Sequence, residues 1–287
     1  MASNWTPGLR NQVLLDSIVL PVLPGSTFSM PRNLDVPQVF SGNNIFQFVY
    51  VEGLQYPVVD LQLLVHKSWW NWTRLNAWFT RTDDDVASAG TLQWWNGATG
   101  FSVSGCKVNV LSIGASIGQY VRCRVALVGT GTFKTLTSRP DTSTTITDPG
   151  ARFQHVTLGG GLSPHQNEAH SAVSFDLTLS NNLDVCPELD SEFFQNGVLN
   201  KMPDQNSGQL TASMRLVMQA KATRPADGTD CTFAITAPGA TVPVTFTVKN
   251  PVCLDPREMT IQFPRQLKEY NYVCLGDTPD TVPVTIS

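Results

Sequence analysis

Four histidines, His66, His155, His165 and His170, are the side chains of this chain best suited to moving protons or holding a metal. The last three stand close together with Glu168, but their spacing matches no zinc-ligand pattern, and the segment around them reads as a loop. Asp83, Asp84 and Asp85 form a short acidic run. A hard-cation site needs further oxygen ligands at set spacing, so the run reads as a solvated loop. The triplet Gly159–Gly161 leads into Ser163-Pro164-His165-Gln166 and not into a Lys-Ser/Thr pair, which excludes a phosphate-cradling loop. No nucleophile elbow is present, and no carboxylate pair stands in a cleft-like context. This reading predicts no catalytic residue, no cofactor and no metal.

Composition sends the argument toward structure. The chain has 287 residues, enough for two ordinary domains or one large β domain. Charged residues make up 15%, against about 25% in an average protein. Ser, Thr, Asn, Gly and Pro replace them, as in a β-rich, turn-rich chain. The formal charge of -4 argues against a basic nucleic-acid-binding surface. No apolar run reaches the ~20 residues of a membrane helix, so no membrane partner is expected. The N-terminus lacks a charged-then-apolar signal, which predicts folding in a cytoplasm. The six cysteines (Cys106, Cys123, Cys186, Cys231, Cys253 and Cys274) contain no CxxC pair and are expected as free, mostly buried thiols. The motifs Asn4-Trp5-Thr6 and Asn71-Trp72-Thr73 fit the glycosylation pattern but carry no meaning without secretion.

The elements must come from hydrophobic patterning. Phe101 to Gly131 reads as a hairpin with strands 101–113 and 120–128 and a turn within Gly114–Gly118. Val121, Cys123, Val125 and Leu127 alternate with Arg122, Arg124 and Ala126, the period of a half-buried strand. The apolar parity flips at Gly105, as a β-bulge would make it. Ser174, Asp176, Thr178 and Ser180 alternate with Phe175, Leu177 and Leu179 on a second amphipathic strand, 171–180. A third spans 209–220, and closing strands are expected at 259–263 and 282–286. A strand at 242–248 is placed on a sheet edge by Pro243. Pro187–Phe194 has the marks of a short helix, with Glu188 and Asp190 in its first turn. The stretch 57–66 is strand or helix; periodicity does not decide.

Trp69, Trp70, Trp72 and Trp78 cluster within SWWNWTRLNAWF. Such side chains form core or a subunit interface more readily than a sugar platform, because each buries so much area. They are taken as interface candidates. Residues 1–40, with Pro7, Pro21, Pro24 and Pro31, read as an extended arm, lying on a neighbouring subunit or folded back as a terminal strand. A Thr/Ser/Pro-rich stretch, 136–150, reads as a linker between domains at 41–135 and 151–287. The two halves are alike in layout, each with a pair of long amphipathic strands.

On these motifs the chain resembles phage tail tube proteins of the duplicated, long-tailed type. GFSVSGCKVNVLSIGASIGQYVRCRVALVG is similar to their hairpin, SAVSFDLTLSNNLDV and GQLTASMRLVMQAKA to the matching second half, and MTIQFPRQLKEYNY to their C-terminal strand. The resemblance implies a mainly β fold of two similar tail-tube-like β-sandwich or barrel domains, with at most one short helix each. It implies a structural virion protein of the tail whose trimeric rings stack into a hollow tube. DNA would pass through without specific binding, and the other partners would be the tape measure, terminator and distal tail proteins. Ser174, Asp176, Thr178 and Ser180 are then the channel-lining candidates. Arg122 and Arg124 would pair with acidic residues of a neighbour or face outward. The competing classes are a carbohydrate- or receptor-binding β-sandwich, warranted by the tryptophans, and another phage head or tail part.

Overall fold

A computed structural model describes residues 11–29, 32–35, 38–41, 45–48, 51–55, 57–82, 85–129, 133–141, 146, 149–162, 172–185, 194–195, 198–199, 205–207, 209–219, 224–254, 259–262, 265–276 and 282–287. In chain order its principal strands are β1 (Asn11–Leu15), β2 (Thr27–Ser29), β3 (Val58–Leu64), β4 (Gly90–Asn96), β5 (Gly100–Ser116), β6 (Arg122–Val128) and β7 (Phe133–Leu136). There follow β8 (Val156–Gly160), β9 (Ala172–Ser180), β10 (Thr211–Gln219), β11 (Cys231–Ile235) and β12 (Val244–Val248). The chain closes with β13 (Pro251–Cys253), β14 (Met259–Gln262), β15 (Arg265–Cys274) and β16 (Val284–Ile286). The one α-helix among the described residues, α1, spans Trp72–Ala77.

The largest sheet runs antiparallel in the order β2-β3-β6-β5-β9-β10-β15-β13, with β14 on the same strand as β13. β5 organises it. Its first half pairs with β4 and β7, its second half with β6 and β9, and the pairing of β5 with β9 carries the sheet from the first half of the chain into the second. Gly105 lies between the two halves of β5 with φ 62°, where the register against β4 slips. A side chain at this φ is strained, and the bulge re-aims the strand.

A second register slip, not foreseen from the pattern, falls at Asn109. The hydrophobic set therefore changes from Val108 to Leu111 and Ile113, and Val110 comes to the opposite face, half-buried. Asn109 holds this bulge to the second half of the chain. Its carbonyl accepts from the Asn181 amide at 2.8 Å, and its side-chain Oδ1 accepts from the Leu183 amide at 2.9 Å. Asn181, fully buried, donates its side-chain amide to the carbonyls of Trp78 (2.9 Å) and Val108 (2.8 Å). Asn182 takes φ 48°, a left-handed position that asparagine tolerates.

The β5–β6 turn is tighter than expected. β5 runs on to Ser116, and the chain reverses over Ile117–Gly118, with the Gln119 amide donating to the Ser116 carbonyl and Gly118 at φ 79°. That φ is the one a type II turn requires at its third residue.

Behind the large sheet lies a four-stranded antiparallel sheet, β8-β11-β12-β16. Pro243 precedes the first paired residue of β12, so β12 is an inner strand and not an edge. The core fills the space between the sheets. Phe175 of β9 meets Phe233 of β11 at 5.1 Å between ring centroids, and Trp70 meets Phe246 of β12 at 5.8 Å.

Other differences follow from pairing that local composition does not encode. Residues 11–15 take the second of the two alternatives for the arm, folded back as a strand along β4 with Val13, Leu14 and Leu15 buried. Residues 133–136 pair with β5, so Leu136, the first residue of the expected linker, lies in a strand. The stretch 57–66 resolves as strand β3. The expected helix at 187–194 lies outside the described residues except for Phe194, which is in a two-residue strand.

Candidate functional surface

The large sheet has a dry back and a wet front. On the back, Val59, Leu61, Leu63, Val125, Leu127, Leu177 and Leu216 are all 1% exposed or less. The front is built from cross-strand rows. One row reads Leu64–Arg122–Gly114–Asp176–Arg215–Asn271, the next Gln62–Arg124–Ser112–Thr178–Ser213–Val273. On either side lie Asp60–Ala126–Val110–Ser180–Thr211 and Ser116–Ser174–Val217–Glu269. All four channel-lining candidates, Ser174, Asp176, Thr178 and Ser180, stand on this front, Asp176 exposed and the others half-buried.

The charges on the front are held within the sheet. Arg124 Nε donates to both carboxylate oxygens of Asp60, at 3.0 and 2.8 Å. Arg215 grips Glu269 with two parallel bonds of 2.6 and 2.8 Å and reaches Asp176 at 3.3 Å. Such two-pronged pairs are the favoured guanidinium–carboxylate geometry. Arg124 thus pairs within its own chain, and among the described residues Arg122 takes no ion pair. The Arg215 hydrogen bond lowers the pKa of Glu269. Asp176 shifts the other way: burial raises its pKa, and the more distant Arg215 offsets this only in part. Asp176 has room because its cross-strand neighbour is Gly114; a β-carbon there would collide with the Asp176 carboxylate. Ser112 and Thr178 share a hydroxyl–hydroxyl bond of 2.9 Å.

A family model described as phage tail tube protein matches residues 17–286. The chain belongs to the phage tail tube protein family. No curated protein matches it. Membership makes this a structural protein of the virion tail that assembles with itself and with other tail proteins.

The tryptophans of this tail tube protein divide sharply. Trp69, Trp70 and Trp78 are 1%, 4% and 2% exposed, so they belong to the protomer core and are not presented to a neighbour. Trp69 Nε1 donates to the Leu64 carbonyl at 2.9 Å, and Trp70 Nε1 to the Ile235 carbonyl at 3.2 Å, which joins the helical segment to both sheets. Asn71 caps α1, accepting from the Thr73 and Arg74 amides. Trp72 alone of the four is exposed, at 42%.

Of the residues weighed for metal chemistry, His165, Glu168, His170, Asp83 and Asp84 lie outside the described residues. Among the described residues no three His, Cys, Asp or Glu side chains come together as a metal site. His155 accepts from the Arg152 amide through Nδ1 at 2.9 Å, and His66 contacts Ser68 at 2.8 Å in the buried start of the tryptophan segment. No helix among the described residues is long and apolar enough to cross a membrane.

Sequence reasoning missed Asp60, Gln62, Ser112, Arg215 and Glu269 as parts of this surface. The alternation Thr211, Ser213, Arg215 against Ala212, Met214, Leu216 carried the signal for Arg215. Glu269 carried none, because Tyr270 and Tyr272, which face the core, do not stand out as an apolar set.

Proposed function

We propose that subunits of this chain close into rings that stack as the hollow tail tube, with the front of the large sheet lining the channel through which phage DNA moves. The observation that carries this reading is the charge balance of that front. Its four rows hold three guanidinium groups and three carboxylates, five of the six joined in intramolecular pairs. A protein binds DNA by releasing counterions from phosphates through free cationic groups. A wall of hydroxyls with two of its three arginines neutralised stays hydrated and lacks a basic stripe, so DNA can slide past it.

Two halves with similar strand pairs allow one chain to supply two of six wall segments, so three chains close a ring with pseudo-sixfold symmetry. Stacking then falls to the loops at the strand ends and to residues before Asn11. Tape measure, terminator and distal tail proteins are the further partners at the tube ends.

Negative-stain microscopy of the purified chain tests this. Rings or tubes with a central hole are expected, and end-on averages should show threefold symmetry. A particle without a hole under all assembly conditions overturns the reading. Asp176→Lys, which breaks the charge balance at an exposed site, should leave the protomer fold intact and make the tubes that form retain DNA in a salt-dependent manner.

A further inference from the structure

The two lateral edges of the large sheet differ in shape and charge. At the β13 edge the front turns apolar: Val252 pairs with Val273 there, and Leu254 and Leu275 stand 68% and 54% exposed. At the opposite edge, Leu23, Pro24 and Gly25 run beside β3 and form a groove of about 510 Å³ with Gln62 and Arg122. Leu254 and the groove lie at the same level of the sheet, and Leu275 lies four residues farther along the chain than Asn271. The Leu254 amide donates to the Asn271 carbonyl, and Asn271 ends the cross-strand row that begins with Leu64 and Arg122.

Several groups along both edges are already bonded within the subunit. The Cys253 amide is taken by the Asp227 carboxylate at 3.1 Å, and the Pro251 carbonyl by the Gly228 amide at 3.0 Å. On β3 the Gln62 carbonyl accepts from Leu23, the Gln62 amide donates to Ser26 Oγ, and the Leu64 amide donates to the Pro21 carbonyl. At these positions contact between edges runs through side chains.

Charge favours one pairing of edges. On the β3–β6 side, Arg122 and Arg124 face the single carboxylate of Asp60, leaving one positive charge. On the β9–β15 side, Asp176 and Glu269 face the single guanidinium of Arg215, leaving one negative charge.

We propose that the Leu254–Leu275 edge of one chain seats in the Leu23–Pro24–Arg122 groove of a second copy. This rests on the ring reading above and names the contact that closes the ring. Knob and groove occupy opposite edges of one subunit, so the contact is heterologous, and such a contact closes into a ring when its rotation permits. The opposed net charges steer the two edges together.

The test is Leu254→Lys in the full chain, which puts an ammonium against the unpaired Arg122. Ring formation by mass photometry should require at least about tenfold more protein, with the melting curve of the protomer unchanged because Leu254 is exposed. Leu254→Ser should weaken assembly by a smaller factor. Combining Leu254→Lys with Arg122→Glu should restore rings. If the parent forms rings and Leu254→Lys forms them at the same concentration, or the double variant is not rescued, this contact is overturned while the tube reading stands. If the parent forms no ring at any concentration, the tube reading falls and this contact with it.

Discussion

Gly114 and Asp176 lie directly opposite each other on β5 and β9, and the space a β-carbon would need at 114 is filled by the Asp176 carboxylate. A glycine in the middle of a strand costs conformational entropy. Here it lets Asp176 lie flat over the sheet and reach Arg215 at 3.3 Å.

Gly114→Ala is accordingly expected to push Asp176 away from Arg215 and to destabilise the protomer by about 1 kcal/mol, because the group it displaces is exposed. In an Asp176→Ala background the same substitution should cost much less. Urea denaturation of the four chains in this cycle checks it, and equal costs in both backgrounds would show that Gly114 is needed for some other reason.

Two tryptophans separated by one residue should behave oppositely. Trp70→Ala removes a buried ring that bridges the helix segment to β11 and β12, with an expected loss of about 3–5 kcal/mol. Trp72→Ala, at a 42% exposed site, should stay within about 1 kcal/mol of the parent. Thermal melting of the two variants measures this. A glycan-binding loss in Trp72→Ala, with assembly unchanged, would favour the carbohydrate-binding class instead.

Acid response should separate Glu269 from Asp176. The folded pKa of Glu269 is lowered, so its contribution is present above the unfolded carboxylate pKa and is lost as pH falls through the folded value. Asp176 is raised, so its contribution is present below the unfolded pKa and is lost as pH rises through the folded value. Glu269→Gln should flatten the loss of stability between neutral pH and pH 3, and Asp176→Asn should steepen it. Denaturation midpoints across that range decide; the reverse order would show that the Arg215 pair does not control Glu269 nor burial Asp176.

Thiol reactivity should follow burial. The five cysteines among the described residues are free; Cys106, Cys123, Cys231 and Cys274 are buried, and Cys253 is half-buried. Burial pushes Cys106 up to about 11 and Cys231 and Cys274 up to about 12, so the reactive thiolate is scarce at ordinary pH. Among these five, iodoacetamide at pH 8 should modify Cys253 first and the four buried thiols only on unfolding, read by peptide mass mapping. Fast labelling of Cys123 in the folded chain would contradict the packing of β6.

Period and composition encode part of this fold locally. The alternation of Val121, Cys123, Val125 and Leu127, and of Phe175, Leu177 and Leu179, dictates two-faced strands, because a residue's face in a strand depends only on its parity. Gly105 announced its bulge for the same reason. The mainly β class and the polar face of Ser174, Asp176, Thr178 and Ser180 were legible on that basis. Tertiary structure decided everything that depends on which strands become neighbours. The slip at Asn109 is set by bonds to Asn181 and Leu183, far along the chain. Trp69, Trp70 and Trp78 became core because two sheets close over them, and residues 11–15 became an inner strand because they lie between β4 and Ile18–Val19. The pairing of Arg215 with Glu269 and Asp176 joins three strands, and the partner of a charged side chain is chosen by sheet order, which no local pattern contains.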